Sequence, residues 1–388
     1  MDYLGILGRQ QKLSLAELEV LYGAKNVEQF SETSALFTTD SFDIERLGGL
    51  IKAGEVVLTL RKAQWKEVST KVIHFYSRKF SKVDHKITIG ISVYDWNVPV
   101  RDIQKLGLIL KSSLKKSNVS LRLIPNQEQA LSSATSHHNK LGLSANKIEL
   151  LISKDKDGNV MVAESTGAQN ITSLAARDQG RPKRDAFIGM LPPKLALMMV
   201  NLSGTAKESR ILDPFCGTGV VLQEAALLGH DVYGTDLSEK MVDYSTANMK
   251  WLLEKQYLST DVVVHHGDAM ETQWHAPVGT VVAETYLGQP FSAPPAADKL
   301  QKVQRICNDV ISQFFTNLAP QIASGTPLCI AIPAWRDSVG RLSHLSLIGN
   351  LKRYGYEHIQ LQHASTDDLI YFRDDQIVAR QLLLLKKI

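Results

Sequence analysis

Cysteine is scarce in this 388-residue chain, with three residues at Cys216, Cys307 and Cys329. None forms a Cys-x-x-Cys pair and no histidine–cysteine cluster has zinc spacing, which argues against disulfides and against a structural metal. Cys216 has no adjacent basic partner and reads as a small packing residue rather than a nucleophile. No apolar run approaches the roughly 20 residues that cross a bilayer, and no charged-then-apolar leader opens the sequence. A cytoplasmic location without membrane attachment is the expectation. Neither sign of charge dominates: 44 Lys and Arg face 40 Asp and Glu, a net charge of +4. That balance permits nucleic-acid binding without demanding it. With 44% hydrophobic residues, the chain is long enough for two or three folded domains.

What is present is a set of strand-end signals. Arg210-Ile-Leu-Asp-Pro-Phe-Cys-Gly-Thr-Gly219 reads as an apolar strand ending in Asp213, a glycine-bearing turn, and a helix over 218–228. Gly217 and Gly219 lack a Cβ, so the backbone can turn sharply and approach a ligand, and the helix N-terminus faces the same pocket. Val232-Tyr-Gly-Thr-Asp236 is a second strand, with Asp236 about twenty residues on, the spacing at which a carboxylate meets ribose hydroxyls. After a third strand, Val262-Val-Val-His265, the segment His266-Gly-Asp268 lets Asp268 reach an adenine exocyclic amine. A dinucleotide fingerprint needs a third glycine where Leu222 stands, and no Gly-Lys-Ser/Thr phosphate loop follows. A pyrophosphate ligand is disfavoured for that reason. An amino-acid-bearing nucleoside offers an ammonium group that Asp213 can bind, so S-adenosylmethionine is the candidate cofactor. Phe215, Thr218, Leu237 and Ala269 complete the candidate cofactor set. Strand-end aspartates and glycines taken singly are ordinary turn residues; three in register point to a ligand site.

The opening 60 residues predict a small α+β module. Its helix, Leu13-Ser-Leu-Ala-Glu-Leu-Glu-Val-Leu21, has Ser14 and Glu17 at capping-box spacing, with strands over 35–38 and 56–60. Residues 64–166 predict a second α/β module: a basic amphipathic segment, strand 87–93, helix 100–114, strand 119–124, and a hairpin turning at Asp157-Gly158. A polar connector, Ala176-Arg-Asp-Gln-Gly-Arg-Pro-Lys-Arg-Asp185, precedes Gly189-Met-Leu-Pro-Pro-Lys-Leu-Ala-Leu-Met-Met-Val-Asn201, a helix with proline near its start. The domain boundary is expected near residue 170. Beyond the motif strands come strand 278–283, helix 298–318, strand 328–332, helix 338–351 and strands 356–362 and 377–385. This alternation fits a mostly parallel, doubly wound sheet with one antiparallel strand, and makes the Leu382–Leu385 run a core strand.

Basic residues are unevenly spread. Arg61, Lys62, Lys66, Lys71, Arg78, Lys79, Lys82 and Lys86 are interleaved with Trp65, Phe75, Tyr76 and Phe80; Lys111, Lys115 and Lys116 form a second cluster, and the connector adds Arg181, Lys183 and Arg184. Such runs are usually solvated faces; phosphate contact is the other reading.

The segments Arg177-Asp-Gln-Gly-Arg-Pro-Lys-Arg-Asp185, Gly189-Met-Leu-Pro-Pro-Lys-Leu-Ala196, Asn201-Leu202, Asp213-Pro-Phe-Cys-Gly-Thr-Gly219 and Asn248-Met-Lys-Trp251 together resemble the THUMP-domain tRNA guanosine N2-methyltransferases, the group acting on guanosine 10 of tRNA. The strand-end segments resemble motifs I, II and III of class I methyltransferases. The resemblance implies an α/β chain in which residues 1–62 are a ferredoxin-like module, 63–168 a THUMP RNA-binding domain, 169–200 a linker and leading helix, and 201–388 a Rossmann-like class I methyltransferase domain on a mostly parallel seven-stranded sheet. The first two modules match in layout more than in motif. It also implies tRNA as partner, held through Lys66, Lys71, Arg78, Lys79, Lys111, Lys115, Arg181, Lys183 and Arg184, and a small activating subunit as some relatives need. Oligomeric state is left open.

One departure concerns the chemistry. Amino-methylating members end strand four in Asp/Asn-Pro-Pro-Tyr/Phe, whereas this chain has Val282-Ala-Glu-Thr-Tyr-Leu-Gly288. Glu284 takes the Asp/Asn position, Thr285 the first proline and Tyr286 the second; the aromatic role passes to Tyr286 or to Phe291. A guanine exocyclic amine is a poor nucleophile. Acceptors on its N–H bonds orient it towards a sulfonium methyl, and an aromatic face holds the unstacked base. Glu284 and Tyr286 are the catalytic candidates on that argument. The altered loop leaves two rivals: an RNA-binding protein that keeps the fold without transfer, and a methyltransferase for another RNA atom. A nicotinamide dehydrogenase is disfavoured by Leu222.

Overall fold

A computed structural model of the chain describes residues 1–185, 190–206, 209–337 and 339–388. Backbone contacts divide it into two compact units, Met1–Thr172 and Ser173–Ile388.

The strands of the first unit are Asp2–Leu7 (β1), Val27–Gln29 (β2), Ser34–Thr38 (β3), Leu50–Leu60 (β4), Ile87–Tyr94 (β5), Leu121–Leu123 (β6), Lys147–Lys154 (β7) and Val160–Ala168 (β8). Its helices are Gln11–Tyr22 (α1), Trp65–Lys79 (α2), Val100–Lys116 (α3) and Ser133–His138 (α4). All eight strands lie in one sheet of order β2-β3-β1-β4-β8-β7-β5-β6. The antiparallel half β4-β1-β3-β2, with α1 after β1, has the strand order of a ferredoxin-like βαββαβ unit whose second helix is cut to the 3-10 turn Ile44–Arg46. Long strand β4 then pairs with β8 and carries the sheet into its second half.

Four-residue spacing explains the helices that cover it. Val68, Val72 and Tyr76 on α2, and Ile103, Leu106, Leu110 and Leu114 on α3, are buried with Ile87, Ile89 and Ile91 of β5 in one cluster. Each such side chain contributes about 1.5–3 kcal/mol on burial. Tyr76 and Phe80 belong to this core, so they are not part of an exposed aromatic face. The hairpin turns as its Asp-Gly pair predicts: Gly158 has φ +89° and the Asp155 carboxylate accepts from the backbone N–H groups of Asp157 (2.9 Å) and Asn159 (2.7 Å). The capping box does not form. Helix α1 begins at Gln11, so Ser14 lies inside it and donates to the Gly49 carbonyl (2.8 Å), while Glu17 accepts from the N–H groups of Gly48 (2.9 Å) and Gly49 (2.6 Å).

The second unit contains Ile211–Asp213 (β9), Val232–Asp236 (β10), Val262–His266 (β11), Thr280–Glu284 (β12), Pro327–Arg336 (β13), Leu342–Ser343 (β14), Tyr356–His358 (β15), Ile370–Tyr371 (β16) and Val378–Lys387 (β17). Between them run Pro193–Leu202 (α6), Val220–Leu227 (α7), Glu239–Gln256 (α8) and Ala297–Leu318 (α9), after Ile171–Gln179 (α5), in whose first turn the unit division falls. The sheet order is β11-β10-β9-β12-β13-β17-β15, with β14 and β16 attached to β13 and β17. Strands β9 to β13 are parallel to one another along this path, and β17 is inserted antiparallel between β13 and β15. This is the mostly parallel path of seven strands with one antiparallel strand that the sequence predicts. The helix predicted over 338–351 is absent from its described part: β14 and a 3-10 helix, Ser346–Tyr354, stand there, the latter broken by Asn350 in a non-helical conformation. Gly189 and Ser338, the first residues of two predicted segments, lie outside the described residues. Among the described residues no helix is long and apolar enough to cross a membrane.

Strand order reverses at β9, with β10 on one side and β12 on the other. Such a switch point opens a crevice beyond the carboxyl ends of the strands, where α/β folds bind ligands.

Candidate active site

Asp213, Asp236 and Glu284 each close a parallel strand at that carboxyl edge. Asp213 is buried, and burial pushes its pKa well above the usual carboxylate range; Asp236 and Glu284 push the same way, while a hydrogen bond from the Phe215 N–H (3.0 Å) opposes them. Among the described residues no cation pairs with it. Such a carboxylate suits the ammonium group of an incoming ligand. Asp236 holds the glycine loop from the next strand, accepting from the Gly217 N–H (2.9 Å) and the Ser238 N–H (2.9 Å). Gly217 has φ +51°, and a Cβ there would meet nothing nearer than the Phe215 carbonyl at 3.9 Å, so its face is open to a ligand. Gly219 serves a different need. A Cβ on it would come within 2.5 Å of Ser245 Oγ, so its φ of +83° and its bare Cα let α7 start hard against α8. Asp268 turns the chain after β11, accepting from the Met270 N–H at 2.9 Å. Leu237 leaves its side chain exposed beside it in sequence to Asp236, whereas the side chain of Ala269 sits in the apolar core, so any ligand contact of Ala269 is through its main chain. Thr218 is buried, and Phe215 packs edge-on against Phe314 at 5.1 Å.

Glu284 does not stand alone. Arg380, on β17, reaches past β13 and donates from Nε to Glu284 Oε1 at 2.5 Å. The Glu284 side chain is 15% exposed and that of Arg380 5%. Burial raises the Glu284 pKa above its ordinary value, and Arg380 opposes that rise without cancelling it. Thr285, in the first-proline position, donates both its N–H (3.0 Å) and its hydroxyl (3.1 Å) to the Ala331 carbonyl of β13. The loop is therefore anchored by hydrogen bonds where proline would have anchored it by a fixed φ. Tyr286 presents a ring that is 46% exposed. Phe291 packs on the core with Lys299 5.2 Å above its ring, which leaves Tyr286 as the freer aromatic.

The connector is tied to this site by charge and by one amide. Arg177 donates to both oxygens of buried Glu224 on α7, at 2.6 and 3.1 Å. Asn248 of α8 donates to the carbonyls of Lys183 and Thr218, each at 2.9 Å, and accepts from the Lys183 N–H at 2.9 Å. One side chain thus joins the connector to the glycine loop. Asn248→Ala removes all three bonds and leaves buried groups unpaired; it is expected to cost about 1–3 kcal/mol of stability and to weaken binding of the methyl donor, read by denaturant melts and calorimetry.

A model of the family described as RMKL-like, methyltransferase domain, matches residues 181–304. The match lies within the second unit and leaves the first unit outside it. A tRNA (guanine(10)-N2)-dimethyltransferase of Methanothermobacter thermautotrophicus is 36% identical over 162 residues, 41% of this chain and 44% of that protein. The enzyme of the same description from Pyrococcus abyssi is 41% identical over 103 residues, 26% of each chain. The matches to these curated relatives span less than half of their length. The solved structure of TrmN from Thermus thermophilus covers 100% of both chains with a TM-score of 0.53 at 14% identity, a likeness of fold.

In the connector Arg181 departs from its expected place on an RNA-contacting face. It is 3% exposed, with Nη2 on Met190 Sδ (3.1 Å) and with Nε and Nη1 sealed from solvent and without a hydrogen bond among the described residues. Burial lowers its pKa. Lys183 and Arg184 beside it are exposed. In the first unit Lys66, Lys71, Arg78, Lys111 and Lys115 are all exposed; Lys71 and Arg78, seven residues apart, share one face of α2, and Lys111 and Lys115 share one face of α3. Lys79 is exposed but bound to Glu164 at 2.6 Å. Two residues of the site escape sequence reasoning. Arg380 is 96 positions from Glu284, and its only signal is a charge just ahead of the apolar Leu382–Leu385 run of its strand. Asn248 shows up in a matching motif, but nothing local reveals what it binds.

Proposed function

We propose that the chain is an S-adenosylmethionine-dependent RNA methyltransferase that modifies the exocyclic N2 amine of a guanosine in tRNA, of the position-10 type named for its curated relatives. The observation that carries this reading is the buried Asp213 carboxylate, without a counter-charge among the described residues, one strand away from Glu284 at a topological switch point. When bound, S-adenosylmethionine supplies a methyl group on a cationic sulfur. Asp213 takes its ammonium group, Asp236 its ribose hydroxyls, and Asp268 with Leu237 its adenine, while Gly217 gives it room. On the acceptor side Glu284 accepts an N–H of the guanine amine and turns the nitrogen lone pair towards the methyl carbon. Tyr286 stacks on the flipped base. Held by Glu284, the N2 lone pair would face that methyl group, which would pass to nitrogen with the carbon–sulfur electrons left on sulfur. The amine proton then passes to Glu284 or to water.

The exposed basic faces of the first unit serve as the phosphate grip of a THUMP-type RNA-binding domain. Lys71→Ala combined with Arg78→Ala is expected to weaken tRNA binding and to reduce the slope of log affinity against log salt by about 1 per residue removed; filter binding across a salt series checks it, and an unchanged slope would remove these residues from the RNA interface.

A second reading, RNA binding without methyl transfer, draws on Thr285, which replaces the family's proline with two hydrogen bonds to Ala331. Calorimetric titration with S-adenosylmethionine and with NAD tests the cofactor assignment shared by both readings: the first ligand is expected to bind and the second not.

A further inference from the structure

We propose that Arg380 is a base-selecting residue, and that with Glu284 it forms an acceptor–donor edge fitted to the Watson–Crick face of guanine. The inference rests on the proposed RNA methyltransferase reading and says which base that site takes and why.

The pair is costly as a purely structural feature. Arg380 lies in β17 among Ala379, Gln381 and the buried Leu382–Leu385 run, and replacing a buried ion pair with packed apolar residues is often neutral or stabilising. Its unused atoms point to a use. Nε of Arg380 bonds Glu284 Oε1 at 2.5 Å and Nη1 lies 3.5 Å from Gln376 Oε1. Glu284 Oε2 and Arg380 Nη2 have no hydrogen bond among the described residues, and neither is among the atoms sealed from solvent. Nη2 shares the rigid guanidinium fork with Nε, so its N–H points the same way as the bond to Glu284. The carboxyl end of β12 thus offers one free carboxylate oxygen beside one free guanidinium N–H.

Guanine presents N2–H and N1–H donors next to the O6 acceptor. Glu284 Oε2 can accept from the donors while Arg380 Nη2 donates to O6. Adenine presents a 6-amino donor where guanine has O6, and an N1 acceptor where guanine has N1–H. It would set donor against donor at Arg380 and acceptor against acceptor at Glu284, and buried groups left unpaired in this way reject a ligand strongly. Arg380 also holds Glu284 in place, so a loss of rate alone would not separate selection from positioning.

The experiment uses full-length protein and two tRNA transcripts, one with guanosine and one with 2,6-diaminopurine riboside at position 10. The second base keeps the 2-amino group but replaces O6 with an amine. Wild-type protein is expected to prefer guanosine by roughly 10- to 100-fold in kcat/KM, and Arg380→Met to bring that ratio close to one while binding S-adenosylmethionine as wild type does. A wild-type ratio near one overturns the inference. So does an Arg380→Met protein that is slower on both transcripts with the ratio unchanged, since that is positioning alone. Should Arg380→Met fail to fold, Arg380→Lys, which keeps a cation beside Glu284 but loses the fork, is expected to lower the preference severalfold, and an unchanged preference overturns the proposal. If wild-type protein transfers to neither transcript, the same ratio is read from transcript affinities with S-adenosylhomocysteine present. An Arg380-dependent preference there supports base selection while the transfer reading alone fails; no preference overturns it.

Discussion

Asp213→Asn is expected to abolish measurable binding of S-adenosylmethionine and, in the same protein, to raise the melting temperature at pH 7. The two effects share one cause. Asp213 is a buried carboxyl with a raised pKa and no cation beside it among the described residues, so ionising it in the folded, ligand-free protein carries a desolvation penalty. Folding keeps its proton on to a higher pH than the unfolded chain does. Between the unfolded value, about 4, and the raised folded value, the native state holds a proton the unfolded state has lost, and stability therefore falls as pH rises through that window. Asparagine removes the penalty and retains an oxygen to accept from the Phe215 N–H. The stability gain should thus be largest above the folded pKa and vanish below about pH 4. Removing the charge also removes the partner of the ligand's ammonium group, a loss of about 2–5 kcal/mol for a desolvated pair. Thermal melts over a pH series with calorimetry on the same samples check both halves. A variant that melts lower and binds as wild type does would remove Asp213 from the cofactor site.

Glu284→Gln is expected to lower methyl transfer by about 10²–10³-fold, the range for loss of one preorganised catalytic group, with cofactor affinity unchanged. Glutamine is the informative substitution because its oxygen still accepts from Arg380. Glu284→Ala is expected to abolish transfer, but it also strands a buried guanidinium, at a cost of about 3–5 kcal/mol in stability. The pH profile gives a separate signature. Burial raises the Glu284 pKa, so the acid limb of wild-type activity should lie above the ordinary carboxylate range, and the residual activity of Glu284→Gln should lack that limb. Unchanged turnover in Glu284→Gln would contradict the assigned role.

The cofactor side of the site is legible in sequence because its chemistry is local. Asp213, Gly217 and Gly219 fall within seven consecutive positions, and the strand, turn and helix around them are read from apolar pattern and glycine placement. The same locality made the Asp157-Gly158 hairpin and the seven-stranded sheet readable. The acceptor side is not local. Glu284 and Arg380 meet because β17 is inserted antiparallel beside β13, and no spacing rule anticipates a contact across 96 residues. Arg181 shows the converse limit: its basic neighbours Lys183 and Arg184 are exposed, yet it turns into the interior towards Met190. At Ser14 and Glu17 the spacing was right but the helix began one turn earlier, so both side chains serve the Gly48–Gly49 backbone instead of the helix end. Within 338–351 Leu342–Ser343 pairs with β13 instead of continuing a helix, and Asn350 breaks the 3-10 helix that follows.

The most direct measurement is transfer of a radiolabelled methyl group from S-adenosylmethionine to unmodified tRNA transcripts, followed by nucleoside analysis of the product. The account predicts label in N2-methylguanosine or its dimethylated form, and none in the Glu284→Ala protein. Binding of both the methyl donor and tRNA with no labelled nucleoside would contradict it and leave an RNA-binding protein built on a methyltransferase fold.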